Sequence, residues 1–172
     1  MARRRVGGQV VLKEALANYV PTKERRNKMK FDLANNTAVA LSYKPTVTTA
    51  AANGTGVDLA GYSSATLVAF IGAEGDTLSS SVHFEVSLEH SDDNSTFTDV
   101  AQADIIDGTI SSGGIFLKLD GTAGGNPDTA GGIFRVGYVG GKRYVRVVLA
   151  KTGTHSNGTP IGAMVVRGHA RH

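Results

Sequence analysis

The sequence contains no cysteine and no tryptophan, and only four of its 172 residues are proline. The lack of cysteine excludes disulfides, thiolate metal sites and a cysteine nucleophile. With only six Phe and five Tyr, the core must rest on many small contacts between aliphatic side chains. No apolar run approaches the roughly 18 residues that span a bilayer, so we expect no membrane-spanning segment.

The start of the chain also lacks the apolar stretch of a secretory signal. Arg3, Arg4 and Arg5 are followed by Gly7, Gly8 and a polar residue, whereas a signal peptide continues into 7 to 15 apolar residues. We therefore expect a protein that is made in the cytoplasm and used without membrane export.

Glycine is abundant, with 22 residues, or about 13% of the chain. Apolar residues make up 41% and charged residues 19%, a balance typical of a globular protein. The composition predicts a soluble protein with many turns.

Charge is unevenly distributed along the chain. Residues 1–30 hold nine basic and two acidic residues, a net charge of +7, while the remainder holds nine basic and thirteen acidic residues, a net charge of −4. This asymmetry predicts a basic N-terminal arm over residues 1–30 and a mildly acidic domain over residues 31–172. Nucleic acid, an anionic membrane surface or an acidic protein face would each attract such an arm.

Within the arm, apolar residues recur at spacings of three and four, which predicts one side of a short helix ending at Pro21. These residues are Val11, Leu12, Ala15, Leu16 and Tyr19. Because so short a helix is marginal alone, it must pack on the domain or on a neighbouring molecule, and the sequence favours neither. The predicted partner-binding residues are Arg3, Arg4, Arg5, Leu12, Leu16, Tyr19, Arg25, Arg26 and Lys28.

From about Met29 the period of the apolar residues changes to two, which predicts entry into a sheet. The clearest predicted strand is Val82–Glu89, where apolar and polar residues alternate strictly. Further predicted strands are 38–43, 65–71, 115–119, 133–139, 144–149 and 161–167. Short strands separated by turn residues predict an all-β fold, a β-sandwich or jelly roll.

Turn residues predict the connections. The polar run Ser91–Ser95 predicts a hairpin after the clearest strand. Gly140-Gly141 lies between two alternating runs and predicts a tight hairpin. Residues 46–56 read as a surface linker, and residues 107–132 as a long exposed loop around one short strand.

Catalytic motifs are weak. Gly61–Ala65 resembles a nucleophile elbow, but its serines open a predicted strand instead of a strand-to-helix turn. Glu85 and Glu89 lie four residues apart on one strand, about 13 Å, farther than the carboxylates of a glycosidase. We expect no enzyme.

Metal and cofactor sites are also not expected. Three scattered carboxylates, those of Asp92, Asp93 and Asp99, fall short of the six or more oxygens that calcium requires. The five histidines include no pair at the spacing of a zinc protease helix. We therefore expect no metal and no cofactor.

Four segments resemble small virion proteins of tailed phages: Val57–Tyr62, Leu88–Phe97, Tyr138–Arg146 and Gly168–His172. The resemblance covers residues 57–172 and excludes the arm. It implies a β-sandwich structural protein, commonly a capsid decoration protein or another component of the phage head.

The leading hypothesis is a non-enzymatic capsid decoration protein on the outer surface of the virion. The expected partner is the major capsid protein, with the arm reaching over neighbouring subunits, and capsid symmetry suggests homo-oligomers such as trimers. Arg135, Arg143, Arg146 and Arg167 are either further contact residues or solvated charges that protect sheet edges.

The sequence leaves two other functions open. A tail, neck or fibre protein could recognise host glycan through the glycine-rich loop, although Phe116 is its only aromatic residue. The arm could instead bind packaged DNA, but it lacks the interleaved aromatic residues of a stacking platform, so a nucleic-acid partner is not expected.

Overall fold

The computed structural model describes residues 33–122 and 131–170. The chain divides into two units, Met1–Ala34 and Asn35–His172, and all strands given below lie in the second. The predicted arm and the predicted domain boundary at residues 30 and 31 lie outside the described residues. Residues 29–32, where the sequence predicts the start of the alternating pattern, also lie outside the described residues. Leu33, the next apolar residue of that pattern, begins a short helix and not a strand.

The described residues form eleven strands and two short helices. The helices are α1 (Leu33–Asn36) and a 3-10 turn (Gln102–Asp104). The strands are β1 (Thr37–Thr48), β2 (Ala52–Asn53), β3 (Val57–Asp58), β4 (Tyr62–Ile71), β5 (His83–Ser91), β6 (Thr98–Asp99), β7 (Ile105–Ile106), β8 (Ile115–Leu119), β9 (Gly132–Tyr138), β10 (Tyr144–Thr152) and β11 (Thr159–Ala170).

The strands pair into two antiparallel sheets. Sheet A has the order β1-β11-β4-β9-β7, and sheet B has the order β2-β10-β5-β6, with β3 also pairing with β10 and β8 with β5. The inward side chains of both sheets form one buried cluster, which includes Leu67 and Val165 from sheet A and Phe84, Leu88 and Val147 from sheet B. The prediction of an all-β sandwich is confirmed.

All seven predicted strands are present. They correspond to β1, β4, β5, β8, β9, β10 and β11. The linker predicted over residues 46–56 is wrong in part, because β1 continues to Thr48 and Ala52–Asn53 pairs with β10. The remaining short strands have only two residues each, too few for a pattern of period two to identify.

Of the two predicted hairpins, one is confirmed and one is wrong. Residues 92–97 form the turn between β5, which ends at Ser91, and β6, and the two strands pair antiparallel as predicted. The tight hairpin at Gly140-Gly141 is wrong, because β9 pairs with β4 and β7 in sheet A, whereas β10 pairs with β5 in sheet B. The glycines thus lie in a connection that crosses from one sheet to the other.

The turn before β4 follows from its sequence. Tyr62 N–H donates to the Leu59 carbonyl at 3.1 Å, which closes a four-residue turn. Gly61 has a φ of +84°, the left-handed value that the third position of a type II turn requires and that glycine adopts without strain. The turn directs the chain from β3 in sheet B into β4 in sheet A.

Ser42 on β1 joins the two sheets at one side of the sandwich. The side chain is buried. Its hydroxyl accepts the Val147 N–H of β10 at 2.9 Å and donates to the Thr55 carbonyl at 3.0 Å. Because β10 has no strand partner at Val147 on this edge, the serine supplies the hydrogen bond that a neighbouring strand would otherwise make.

We expect Ser42→Ala to lower the free energy of unfolding by about 1–3 kcal/mol, since it leaves the buried Val147 N–H without an acceptor. Thr46→Ala, at an exposed position of the same strand, is the control and should change it by no more than about 0.5 kcal/mol. Urea denaturation of both variants makes the comparison. Equal effects would show that the Ser42 bridge does not stabilise the fold.

Candidate interaction surfaces

The outer face of sheet A is the largest apolar feature that the described residues leave uncovered. Strand alternation and cross-strand pairing place ten side chains in three adjacent rows of this face, and eight of the ten are apolar. They are Val39, Leu41, Thr66, Val68, Phe70, Ile106, Ile133, Arg135, Met164 and Val166. We call this set the apolar face.

The register aligns these side chains in rows across the sheet. Leu41 pairs with Met164, Met164 with Val68, and Val68 with Arg135. The next row begins at Val39. Paired residues on one face have Cβ atoms about 5 Å apart, so the rows form a continuous surface.

Large side chains on the apolar face are open to solvent. The exposed fraction is 58% for Val39, 55% for Leu41, 56% for Ile106 and 71% for Ile133. Single exposed apolar residues are ordinary on protein surfaces, but a contiguous set on one sheet marks an interaction surface. The apolar face is therefore the strongest candidate interaction surface in the described part of the chain.

Sheet B differs sharply on its outer face, which is charged. Glu89 lies opposite Arg146 and Glu85 lies opposite Lys118 in the register. Arg146 Nη2 is 2.7 Å from Glu89 Oε2, and Lys118 Nζ is 3.9 Å from Glu85 Oε1. The two glutamates that the sequence places on a solvent-facing surface thus form ion pairs, and this face has the polarity expected next to water.

Two of the four arginines singled out in the sequence have partners within the sandwich. Arg135 Nη2 is 2.8 Å from Asp107 Oδ2 in an exposed ion pair. Besides Glu89, Arg146 contacts the ring of Phe97, with 3.9 Å between the guanidinium carbon and the ring centroid. These contacts hold both cations in place.

The other two arginines converge on Asp58 at the end of β3. Arg143 donates from Nε and Nη2 to the two carboxylate oxygens at 3.0 and 2.8 Å. Arg167 donates to the Asp58 carbonyl at 2.8 Å and lies over the ring of Tyr62. The Arg143 guanidinium, followed by the Ala60 N–H, lowers the pKa of Asp58 to about 2.

An open cleft of about 450 Å³ lies at this end of the sandwich, between the turn before β4 and the connection from β9 to β10. Tyr138 lines it, with its hydroxyl 3.0 Å from His90 Nδ1 and accepting the Lys142 N–H at 3.1 Å. Burial raises the pKa of Tyr138. Lys142 forms an ion pair with Asp92, so the polar groups around Tyr138 bond one another.

Ser64, one of the serines in the elbow-like motif, lies 2.8 Å from His169 Nδ1 through its Oγ atom. Ser64 belongs to strand β4, so the motif does not form a strand-to-helix turn. No acidic side chain among the described residues is hydrogen-bonded to His169. A nucleophile and a base therefore meet without the third group that orients the base in a catalytic triad.

Asp93, one of the three aspartates considered for calcium, stabilises a turn. Asp93 Oδ1 accepts the Thr96 and Ser95 N–H groups at 2.7 and 2.8 Å, and the Ser91 hydroxyl at 2.8 Å. These bonds, led by the Thr96 N–H, lower the pKa of Asp93 to about 2. Within residues 33–122 and 131–170, no three His, Asp or Glu side chains are placed to hold a metal.

The nine predicted partner-binding residues, Arg3, Arg4, Arg5, Leu12, Leu16, Tyr19, Arg25, Arg26 and Lys28, lie outside the described residues. Among the described residues, neither helix has the length and apolar content needed to cross a bilayer. No protein family, curated protein or solved structure matches the chain.

Sequence reasoning missed the apolar face, although its signal was present. Residues 67–71 are apolar without interruption, and residues 161–166 contain no charged or hydrogen-bonding side chain. Such runs are typical of strands that are covered on both faces. In the described residues only the inner face of each strand is covered.

We expect Arg143→Gln to raise the pKa of Asp58 from about 2 towards its ordinary value of 3.8. The rise should be incomplete, because the Ala60 N–H still donates to the carboxylate. With its folded pKa lowered, Asp58 stabilises the fold above about pH 4 and loses this effect as the pH falls towards 2. NMR titration of the Asp58 carboxyl carbon measures its pKa in the unmodified protein and in the variant.

Arg135→Gln is the matched control, because Arg135 pairs with Asp107 and not with Asp58. It should leave the Asp58 midpoint unchanged. An Asp58 midpoint that stays near pH 2 in Arg143→Gln would contradict the assignment of the shift to Arg143.

Proposed function

We propose that the chain is a non-enzymatic structural protein of a tailed-phage virion, a decoration protein that binds the major capsid lattice on the outer surface of the head. The observation that carries the proposal is the apolar face, which is exposed on an otherwise complete sandwich. An exposed apolar face of this kind is typical of a protein that functions by assembling with other chains.

The positive charge of the N-terminal segment supports a second contact with the capsid, made by the basic residues of that segment. Arg135, Arg143 and Arg146 are paired with carboxylates of the same domain. The segment 1–30 has a net charge of +7, and its two glutamates cannot neutralise nine cations. An acidic capsid surface is the partner that this charge fits, and several weak ion pairs made together give useful affinity.

The resemblance of residues 57–172 to small virion proteins supports the same proposal, although it does not extend to the basic segment. The alternative of a tail, neck or fibre protein that recognises glycan is less well supported. Phe116, the only aromatic residue in the glycine-rich loop, packs against the core and is half-buried. It is therefore not available as a flat platform for a sugar ring.

Capsid binding by a charge variant of the full chain tests the proposal. We expect changing Arg3, Arg4, Arg5, Arg25 and Arg26 to Gln to weaken binding about a hundredfold, from five exposed ion pairs of roughly 0.5 kcal/mol each. Co-sedimentation with purified capsids that lack this protein measures the affinity. Deletion of residues 1–30 should abolish binding while circular dichroism shows that the sheets remain folded.

The control variant changes the cations Lys118 and Lys151 of sheet B to Gln and should bind like the unmodified protein. Equal binding by the charge variant and the control would overturn the role of the basic segment. Failure of the unmodified protein to bind capsids would overturn the decoration function. Salt-sensitive binding to DNA of any sequence, without capsid binding, would assign the segment to packaged DNA instead.

A further inference from the structure

We propose that the apolar face is a homodimer interface, in which sheet A of one copy packs against sheet A of a second copy around a two-fold axis. The inference rests on the proposed assembly function and names the partner of one of its surfaces. It departs from the trimer expected from capsid symmetry, because a sheet face that meets itself forms a closed pair.

Charge favours a second copy as the occupant. A two-fold axis places each surface patch against an identical patch, so a face with net charge would repel itself. The one charged side chain on the apolar face is Arg135, and Asp107 neutralises it at 2.8 Å. The face is therefore mainly apolar and its single ion pair has no net charge, so an identical surface is a complementary partner.

Shape leads to the same conclusion, because the two glycine gaps in the face are covered by neighbouring side chains. A Cβ atom on Gly162 would lie 2.8 Å from Pro45 Cγ, and one on Gly137 would lie 2.7 Å from Ile106 Cγ1. Pro45 and Ile106 thus lie above the glycine backbones. A surface without deep pockets suits the face-to-face packing of two sheets about 10 Å apart.

The size of the face is sufficient for a specific contact. Four strands spaced about 4.8 Å apart, each paired over seven or more residues, give a face of about 20 Å by 20 Å, and the two-residue strand β7 lies at one edge. Two such faces would bury on the order of 1,000 Å² in total, which is near the lower limit for specific protein interfaces. The dimer should therefore dissociate measurably at low concentration.

The outer face of sheet B does not offer the same contact. A two-fold contact there would bury the Glu85–Lys118 and Glu89–Arg146 pairs, and the Arg146–Glu89 pair would lose its remaining water, whereas sheet A carries the single pair Arg135–Asp107. Burying charges in this way costs more than burying aliphatic side chains. Self-association through sheet A is the favourable choice.

Sedimentation velocity of the full-length protein, without capsids, tests the inference. We expect a dimer at high micromolar concentration, and we expect Leu41→Lys with Ile133→Lys to raise its dissociation constant about a hundredfold or more, because lysines would face an apolar surface and each other. Both side chains are more than half exposed, so neither contributes to the core.

Ala150→Lys is the control, since it adds a lysine at an exposed position opposite Glu85 on the outer face of sheet B. It should leave the dimer intact. If the double lysine variant does not fold, Leu41→Ser with Ile133→Ser replaces it and should weaken the dimer in the same direction. A monomer at all concentrations, or a dimer insensitive to both double variants, would overturn the inference.

A cysteine cross-link tests the geometry, because the chain has no cysteine of its own. Val68 lies on β4, the central strand of sheet A, so Val68→Cys places one thiol near the proposed two-fold axis. A bis-maleimide that spans about 10 Å, the distance between packed sheets, should give a covalent dimer. Ala150→Cys should give none, and equal cross-linking of the two would contradict the inference.

The outcomes separate this inference from the proposed function. A protein that is monomeric yet binds capsids would refute the dimer and leave the decoration function intact. If that capsid binding were also lost in the Leu41→Lys, Ile133→Lys variant, the apolar face would belong to the capsid contact. A dimer that does not bind capsids would leave the dimer intact and refute the decoration function.

Discussion

Burial of the inward side chains between two antiparallel sheets determines the remaining features of the structure. Phe84 and Leu88 of sheet B, with Leu67 and Val165 of sheet A, belong to one core without a disulfide or a metal among the described residues. Because side chains alternate along a strand, fixing the inward set also fixes the outward set. On sheet B the outward set is charged and internally paired, whereas on sheet A it is apolar, and this contrast is the basis of the functional account.

An apolar outer face lowers solubility unless another surface covers it, so the contrast between the sheets supports the proposed assembly function. The arginines near the Asp58 end contribute mainly to the fold, because Arg143 binds the Asp58 carboxylate and Arg167 joins the end of β3 to Tyr62 at the start of β4. The apolar face and the net positive charge of residues 1–30 then suit two different contacts. One surface suits a second copy of the chain, and the other suits an acidic partner. A dimer would carry two basic segments, and joint engagement of both would raise affinity for a repeating lattice.

The sequence alone predicted the fold class and the seven long strands, because alternation over five or more residues identifies a strand with one buried face. It did not predict the sheet to which each strand belongs. Gly140-Gly141 has the sequence of a tight hairpin, yet the flanking strands find better partners in opposite sheets, and local turn preference cannot report such long-range pairing. Ser42 could not be identified either, since its role depends on a gap in the edge of β10, 105 residues away. The uninterrupted apolar run over residues 67–71 did indicate that β4 is apolar on both of its faces.

The central claim is that this sandwich decorates the capsid with its apolar face covered by another copy. A cryo-electron microscopy reconstruction of the intact particle tests it most directly. We expect density for this chain at repeated positions on the outer surface of the head, with the apolar face packed against the apolar face of a second copy and Val68 near the two-fold axis. Density confined to the neck, tail or fibres, or single copies with this face open to solvent, would contradict the account.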